Sequence, residues 1–289
     1  MKFTEKIVIG TAQFGMDYGI ANDKGKPNKN EVFNILNLAL ENGVRHFDTA
    51  PGYGSEALLG EFILANGIQD EAIVLTKIPS LDGVTDFQVY IRKNLEMSLK
   101  HLSCPVDVLF FHVPEDSLWL LKDPQFFEKL LQEYPVSTLG VSVYKPQEVE
   151  RMSGCLFNLS FQFPFNVLDR RFEQVSMPKG KRYARSIFLQ GLLVSQNGLR
   201  PNAPKELIEL QREYHGKLAD HHLAPIGFAI SFATRSDAVD YFLIGLDSVE
   251  QLEDILNLDS YNQKDIAMFD DLPINTDKHW FDPRNWSSI

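Results

Sequence analysis

Eight short β-branched or aromatic runs recur along the 289-residue chain, at 7–9, 44–48, 73–77, 106–112, 136–141, 157–162, 185–189 and 240–244. Each has the length and composition of a strand buried on both faces. Segments with helical spacing lie between them, at 30–42, 55–65, 86–101, 124–133, 204–219 and 248–257. In the first of these Val32, Ile35, Leu36 and Ala39 share one stripe, and Asn42-Gly43 ends it as a C-cap would. Ser248 opens the last, with Gln251 at the spacing of a capping box. Strands alternating with helices make parallel β-α units, hence either a doubly wound sheet or an eight-fold barrel. The count of eight, on a chain near the usual ~250 residues, favours the α/β class in its (β/α)8 TIM-barrel form, with the active site at the C-terminal mouth of the strands. No repeat, linker or low-complexity tract divides the chain, which reads as one domain over 1–289 with 259–289 as a C-terminal tail.

Charge narrows the function. Lys and Arg number 28 against 39 Asp and Glu, a formal net charge of −11. Nucleic-acid binding needs a basic patch to neutralise phosphates, and an anionic membrane surface makes the same demand, so neither partner is expected. No apolar run approaches the ~18–20 residues of a membrane helix. The opening segment has only about four apolar residues before Gly10-Thr11, too few for a signal-peptide core. Cys104 and Cys155 form no CxxC pair and are too few for a disulfide framework, so a reducing cytoplasm is expected.

On a barrel the residues that follow each strand carry the chemistry. After strand two come Asp48 and, in a Pro-Gly loop, Tyr53; strand three ends at Lys77 and strand four at His112. Singly, each has an ordinary explanation: a turn cap, a surface plug, a solvated cation, a core imidazole. Together at adjacent strand ends they are equipment for protonating a carbonyl oxygen as charge develops on it. A phenol has a pKa near ~10, which an adjacent ammonium lowers, while a carboxylate holds the ammonium in place. None of the four donates hydride, so a cofactor must.

Three segments carry a family likeness: Phe47-Asp48-Thr49-Ala50-Pro51-Gly52-Tyr53-Gly54-Ser55-Glu56 with Leu59-Gly60, Leu75-Thr76-Lys77, and Asp107 to His112. Gly140-Val141-Ser142, Leu189-Gln190-Gly191-Leu192-Leu193 and Ile244-Gly245 follow in order. The chain resembles the aldo-keto reductase superfamily. That resemblance implies NADPH, with NADH as the alternative, bound across the barrel mouth without a G-x-G-x-x-G motif, and a small-molecule carbonyl substrate. It makes Tyr53 the general acid, Lys77 its partner, Asp48 the residue holding Lys77, and His112 the one orienting the carbonyl. Gly10, Thr11 and Asp48 fall near the nicotinamide end, and Ser142 and Gln162 where the carboxamide is held, although the usual Asn after that Ser is Val143. Gln190, Gly191 and Leu192 match the pyrophosphate loop; Gly245, Ser248, Gln251 and Asp254 match the adenosine phosphate site. Gln251 stands about where stronger NADPH binders have an Arg, and Gln cannot supply that charge. Arg185 and Arg235 are candidates to supply it instead.

Further likeness, in Gly10 to Gly15 with Tyr18-Gly19-Ile20-Ala21-Asn22, is to a bacterial branch associated with sugar or surface-polysaccharide metabolism, which makes a sugar derivative a candidate substrate. Tyr18, Trp119 and, in the aromatic tail, Trp280 are candidates to line the pocket. Gly10 to Gly15 has P-loop glycine spacing, but Met16-Asp17 stands where the lysine is required. His221-His222 lacks a third ligand at metal-site spacing, so no metal is expected. Asp48, Glu115 and Glu173 could serve a glycosidase, a reading that leaves Tyr53 and Lys77 idle. The rival from another class is a nucleotide-binding regulatory or scaffold protein on the same fold.

Overall fold

The computed structural model describes residues 3–17, 25–195 and 205–258. Their strands are β1 (Ile7–Gly10), β2 (His46–Asp48), β3 (Ile73–Ile78), β4 (Val106–Phe111), β5 (Val136–Ser142), β6 (Ser160–Pro164), β7 (Arg182–Arg185) and β8 (Tyr241–Gly245). All pair in parallel with their sequence neighbours, and β8 closes on β1 with Gly245 opposite Gly10. The expected (β/α)8 barrel is the fold.

Around it lie α1 (Ala12–Gly15), α2 (Lys29–Glu41), α3 (Glu56–Asn66), α4 (Phe87–Leu102), α5 (Trp119–Lys122), α6 (Pro124–Glu133), α7 (Pro146–Glu150), α8 (Lys205–Asp220), α9 (Pro225–Arg235) and α10 (Val249–Leu256). Local chemistry sets their ends. Asn28 caps α2 in a full capping box with Glu31, and Gly43, at φ +84°, follows its C-cap in the left-handed region that glycine enters freely. Val32, Ile35, Leu36 and Ala39 are its buried stripe. Helices α4, α6 and α8 likewise bury one side, with Ile91 and Leu95, Phe127 and Leu130, and Leu207 and Tyr214.

Inside, Val8, Leu75, Val108, Phe110 and Tyr183 form a second core. Gly140 makes room for it: a Cβ there would lie 2.5 Å from the Phe110 ring. The interior is packed with side chains, so chemistry is confined to the mouth.

Two boundaries differ from the sequence pattern. The seventh strand is 182–185, where 185–189 was expected. Ile187 and Leu189 are buried, which made the run look like a strand, but Ser186 and Leu189 have φ of 57° and 45°, which no β-ladder accommodates. The sixth strand is shifted to 160–164. Helix α9 is not among the helices the pattern marks: Phe228, Ile230 and Phe232 are buried, and Ser231, Thr234 and Arg235 are the polar residues it offers on its other side.

Candidate active site

Inward-facing residues alternate along each strand, and the register decides which of them meet. Asp48 pairs with Leu75, so Lys77, two residues on, shares Leu75's inward face at the top of the barrel. Lys77 Nζ donates to Asp48 Oδ2 at 2.7 Å, to Oδ1 at 2.9 Å and to the Thr49 carbonyl at 2.9 Å. Gln162 Nε2 donates to Asp48 Oδ1 at 2.8 Å from the far side of the mouth. Both charges are buried. Burial alone would lower the Lys77 pKa; Asp48, and then Tyr53, outweigh it, and the ammonium titrates above its ordinary value.

Tyr53 closes a 3-10 turn, Pro51–Tyr53, directly after β2. Its carbonyl lies hard against Gly15, where a Cβ would sit 1.8 Å from the oxygen, so only glycine lets α1 support the turn this closely. Beneath it, Thr11 Oγ1 donates to the Asp48 carbonyl at 3.0 Å, and the Ser55 hydroxyl lies 2.8 Å from that of Thr11 and 3.1 Å from that of Thr49. This buried hydroxyl cluster, which no strand-end pattern reveals, ties the turn to β1 and β2.

The Tyr53 ring centroid is 4.9 Å from Lys77 Nζ and 6.2 Å from the His112 imidazole, which meets it edge-on. The four residues from adjacent strand ends therefore form one group. The expected fall in the Tyr53 pKa does not occur. Burial raises it, Lys77 and Arg185 pull it down, Asp48 raises it again, and the phenol titrates above its ordinary value. A phenol that stays protonated at neutral pH is the form a proton donor needs.

Residues expected around a cofactor are distributed along the same rim. Ser142 ends β5 opposite Gln162, and both are buried. Gln190 and Gly191 lie in a left-handed turn at φ 53° and 95°, followed by Leu192. Gln13 covers Gly245. Ser248 caps α10, accepting from the Gln251 N–H at 3.4 Å, but the Gln251 side chain accepts from Asp247 N at 3.0 Å, so the capping box is only half made. Asp254 is exposed one turn further along.

The two arginines fall elsewhere than the phosphate site. Arg235 ends α9 ahead of β8, at the opposite end of the barrel, where its guanidinium lies 4.8 Å from the Phe232 ring centroid. Arg185 ends β7 and reaches back across the mouth to Val143 and Tyr144. Trp119 stacks on Phe87 at 4.0 Å with Lys122 over its ring, and these contacts do not join it to Tyr53 or His112. Tyr18, Trp280 and the 259–289 tail lie outside the described residues. Among the described residues no group of three or more His, Cys, Asp or Glu side chains could hold a metal ion, and no helix is long and apolar enough to cross a membrane.

The Aldo/keto reductase family model matches residues 6–273. The chain belongs to the Aldo/keto reductase family. The aflatoxin B1 aldehyde reductase member 2 of Rattus norvegicus is 31% identical over 150 residues, 48% of this chain and 41% of that protein, so the matched segment spans under half of the relative. The L-glyceraldehyde 3-phosphate reductase of Escherichia coli (strain K12) is 24% identical over 282 residues, 82% of each chain. A solved aldo-keto reductase from Bacillus halodurans in its holo form superposes with a TM-score of 0.74 over 96% of this chain and 95% of that one, a likeness of fold at 19% identity.

Aldo/keto reductases generally use nicotinamide cofactors, and this chain's donor set fits one unevenly. Ser142 and Gln162 offer hydroxyl and amide groups suited to a carboxamide. The N-terminus of α10 offers backbone N–H groups suited to a phosphate. Residues 245–256, however, include Asp247, Glu250, Glu253 and Asp254 and no Lys or Arg, which suits ribose hydroxyls better than an additional phosphate.

Proposed function

We propose that this oxidoreductase reduces an aldehyde or ketone to an alcohol, with hydride from a nicotinamide dinucleotide and a proton from Tyr53. The observation that carries the reading is the joined group of Asp48, Lys77, Tyr53 and His112 in the mouth. The dinucleotide, when bound, supplies the hydride to the carbonyl carbon. His112 orients the carbonyl oxygen toward the Tyr53 hydroxyl, which gives up its proton as the carbon–oxygen double bond becomes a single bond. Lys77, held by Asp48 and Thr49, stabilises the phenolate left behind. The hydroxyl cluster of Thr11, Thr49 and Ser55 keeps the phenol at the depth where these distances hold.

Ser142, Gln162, Gly10 and Thr11 would hold the nicotinamide end, Gln190 to Leu192 the pyrophosphate, and Gly245, Ser248, Gln251 and Asp254 the adenosine. NADPH is the cofactor of this reading. NADH is the second, favoured by the acidic, Arg-free stretch 245–256. A small sugar derivative suits the reading, since a relative is named for a phosphorylated triose aldehyde. A scaffold role on the same fold is disfavoured by the intact proton-transfer group. Two cysteines, one buried and neither in a disulfide, suit a reducing cytoplasm.

Titrating intrinsic fluorescence with NADPH and NADH, followed by turnover of simple aldehydes, tests the proposal. Tyr53→Phe is expected to keep cofactor affinity and lower kcat by about 10²–10⁴-fold. Near-full turnover by that variant, or binding of neither nucleotide, defeats it.

A further inference from the structure

We propose that Arg185 is the seat for an anionic group, a carboxylate or phosphate ester, carried by the carbonyl substrate. The inference deepens the reductase reading and rests on it for the identity of the substrate. Arg185 is the last residue of β7 and therefore opens on the same mouth as Asp48, Lys77 and Ser142. Its guanidinium crosses the end of β6, donating from Nη2 to the Val143 carbonyl at 3.0 Å and lying 4.0 Å from the centroid of the Tyr144 ring. These contacts fix the plane of the group while engaging one of its five N–H donors. Its charge acts on the Tyr53 phenol, the site of carbonyl protonation.

What separates Arg185 from the arginines paired nearby is that it has no carboxylate partner among the described residues. Arg182, on the same strand, pairs with Asp240 at 2.8 Å, and Arg171 with Asp169 at 2.6 Å. Lys77, also in the mouth, is neutralised by Asp48. Among the described residues Arg185 has no carboxylate partner, although it is half-buried. A half-buried guanidinium with open donors is a receptor for carboxylate or phosphate, which its fork engages two oxygens at a time. Because the chain carries −11 overall, an anionic substrate gains nothing from the protein's general field and needs such a local cation. The other claimant is the cofactor, but in the reductase reading its pyrophosphate goes to the turn at 190–192 and its uncharged carboxamide to Ser142 and Gln162, neither of which needs the guanidinium.

The test compares succinic semialdehyde with butanal, which share the aldehyde chain and differ in the terminal carboxylate, in full-length wild-type and Arg185→Met proteins. Methionine keeps the packing on Tyr144 and removes the charge. The semialdehyde-to-butanal ratio of kcat/KM is expected to exceed one in the wild type and to fall about 10- to 100-fold in Arg185→Met, chiefly through KM. Arg185→Lys, which keeps the charge without the fork, falls between. Succinate binding by calorimetry needs neither turnover nor cofactor and should weaken in parallel. A ratio unmoved by the methionine, or equal succinate binding by both proteins, overturns the proposal. So does a variant that loses NADPH affinity and keeps the ratio, since the guanidinium then serves the cofactor. If the wild type binds neither nucleotide and reduces neither aldehyde but succinate binding still depends on Arg185, the reductase reading fails and the anion seat stands.

Discussion

Strand β2 carries a titratable side chain at each end of the barrel, two residues apart on the same face, and the two are kept in opposite states. At the mouth, Asp48 and Lys77 remain charged because each lies within 3 Å of the other and of further polar partners. At the opposite end His46 is equally buried, but its Nδ1 finds no hydrogen-bond partner among the described residues. Its ring lies 4.4 Å from that of Tyr241. Burial, with Lys181 nearby, drops its pKa to about 4. Burial is similar at the two ends; what differs is pairing. Where the barrel must hold charge for chemistry it encloses a matched pair, and where it serves only as a plug it holds the neutral form.

Unpairing the mouth should have the largest effect. Asp48→Ala leaves the Lys77 ammonium buried without its counter-charge and is expected to destabilise by about 3–5 kcal/mol, measured by urea unfolding. Asp48→Leu combined with Lys77→Met should recover much of that stability while turnover stays abolished. A double variant as unstable as the single one would break the comparison, because the mouth would then depend on more than charge matching.

The second expected effect, at the other end, depends on pH. His46 binds a proton near pH 6.5 in the unfolded chain and near 4 in the fold, so the unfolded state takes up more protons between those values. The stability due to keeping His46 neutral is complete above pH 6.5 and is lost as pH falls toward 4, about 3 kcal/mol in all. Unfolding curves across that window should be flatter for His46→Leu than for the wild type. Parallel curves would show that the imidazole is not held neutral.

The smallest effect sharpens the same contrast. Arg182 and Asp240 form a bidentate pair at the His46 end, with bonds of 3.1 and 2.8 Å, but both side chains are partly exposed. Breaking it with Arg182→Ala should cost about 1 kcal/mol or less, and less still in high salt. A cost near that of Asp48→Ala would mean that burial is not what makes the mouth pair strong.

Much of this was legible in the chain. The alternation of apolar runs with amphipathic stripes marks eight strands and most helices, and Asp48, Lys77 and His112 stand out because each ends a strand in a fold whose strand ends meet. Arg185 is visible in the sequence as a cation and a candidate for the phosphate's charge, but nothing local says which way a strand-end side chain reaches. The hydroxyl cluster under Tyr53 draws on three separate segments, so no single stretch announces it. Trp119 looked like a pocket residue by type and position, whereas Phe87, more than thirty residues away, claims its face.

By itself the sequence determined the barrel, the family and the chemical types gathered at the mouth, because periodicity, caps and strand-end residues are properties of neighbours along the chain. Only the tertiary structure decided the ends of β7, the placement of α9, the destination of Arg185 and the direction in which the Tyr53 phenol titrates. Each of these depends on what surrounds a residue in three dimensions. Desolvation and the company of charges from other strands are set by barrel closure and register, which no local window contains.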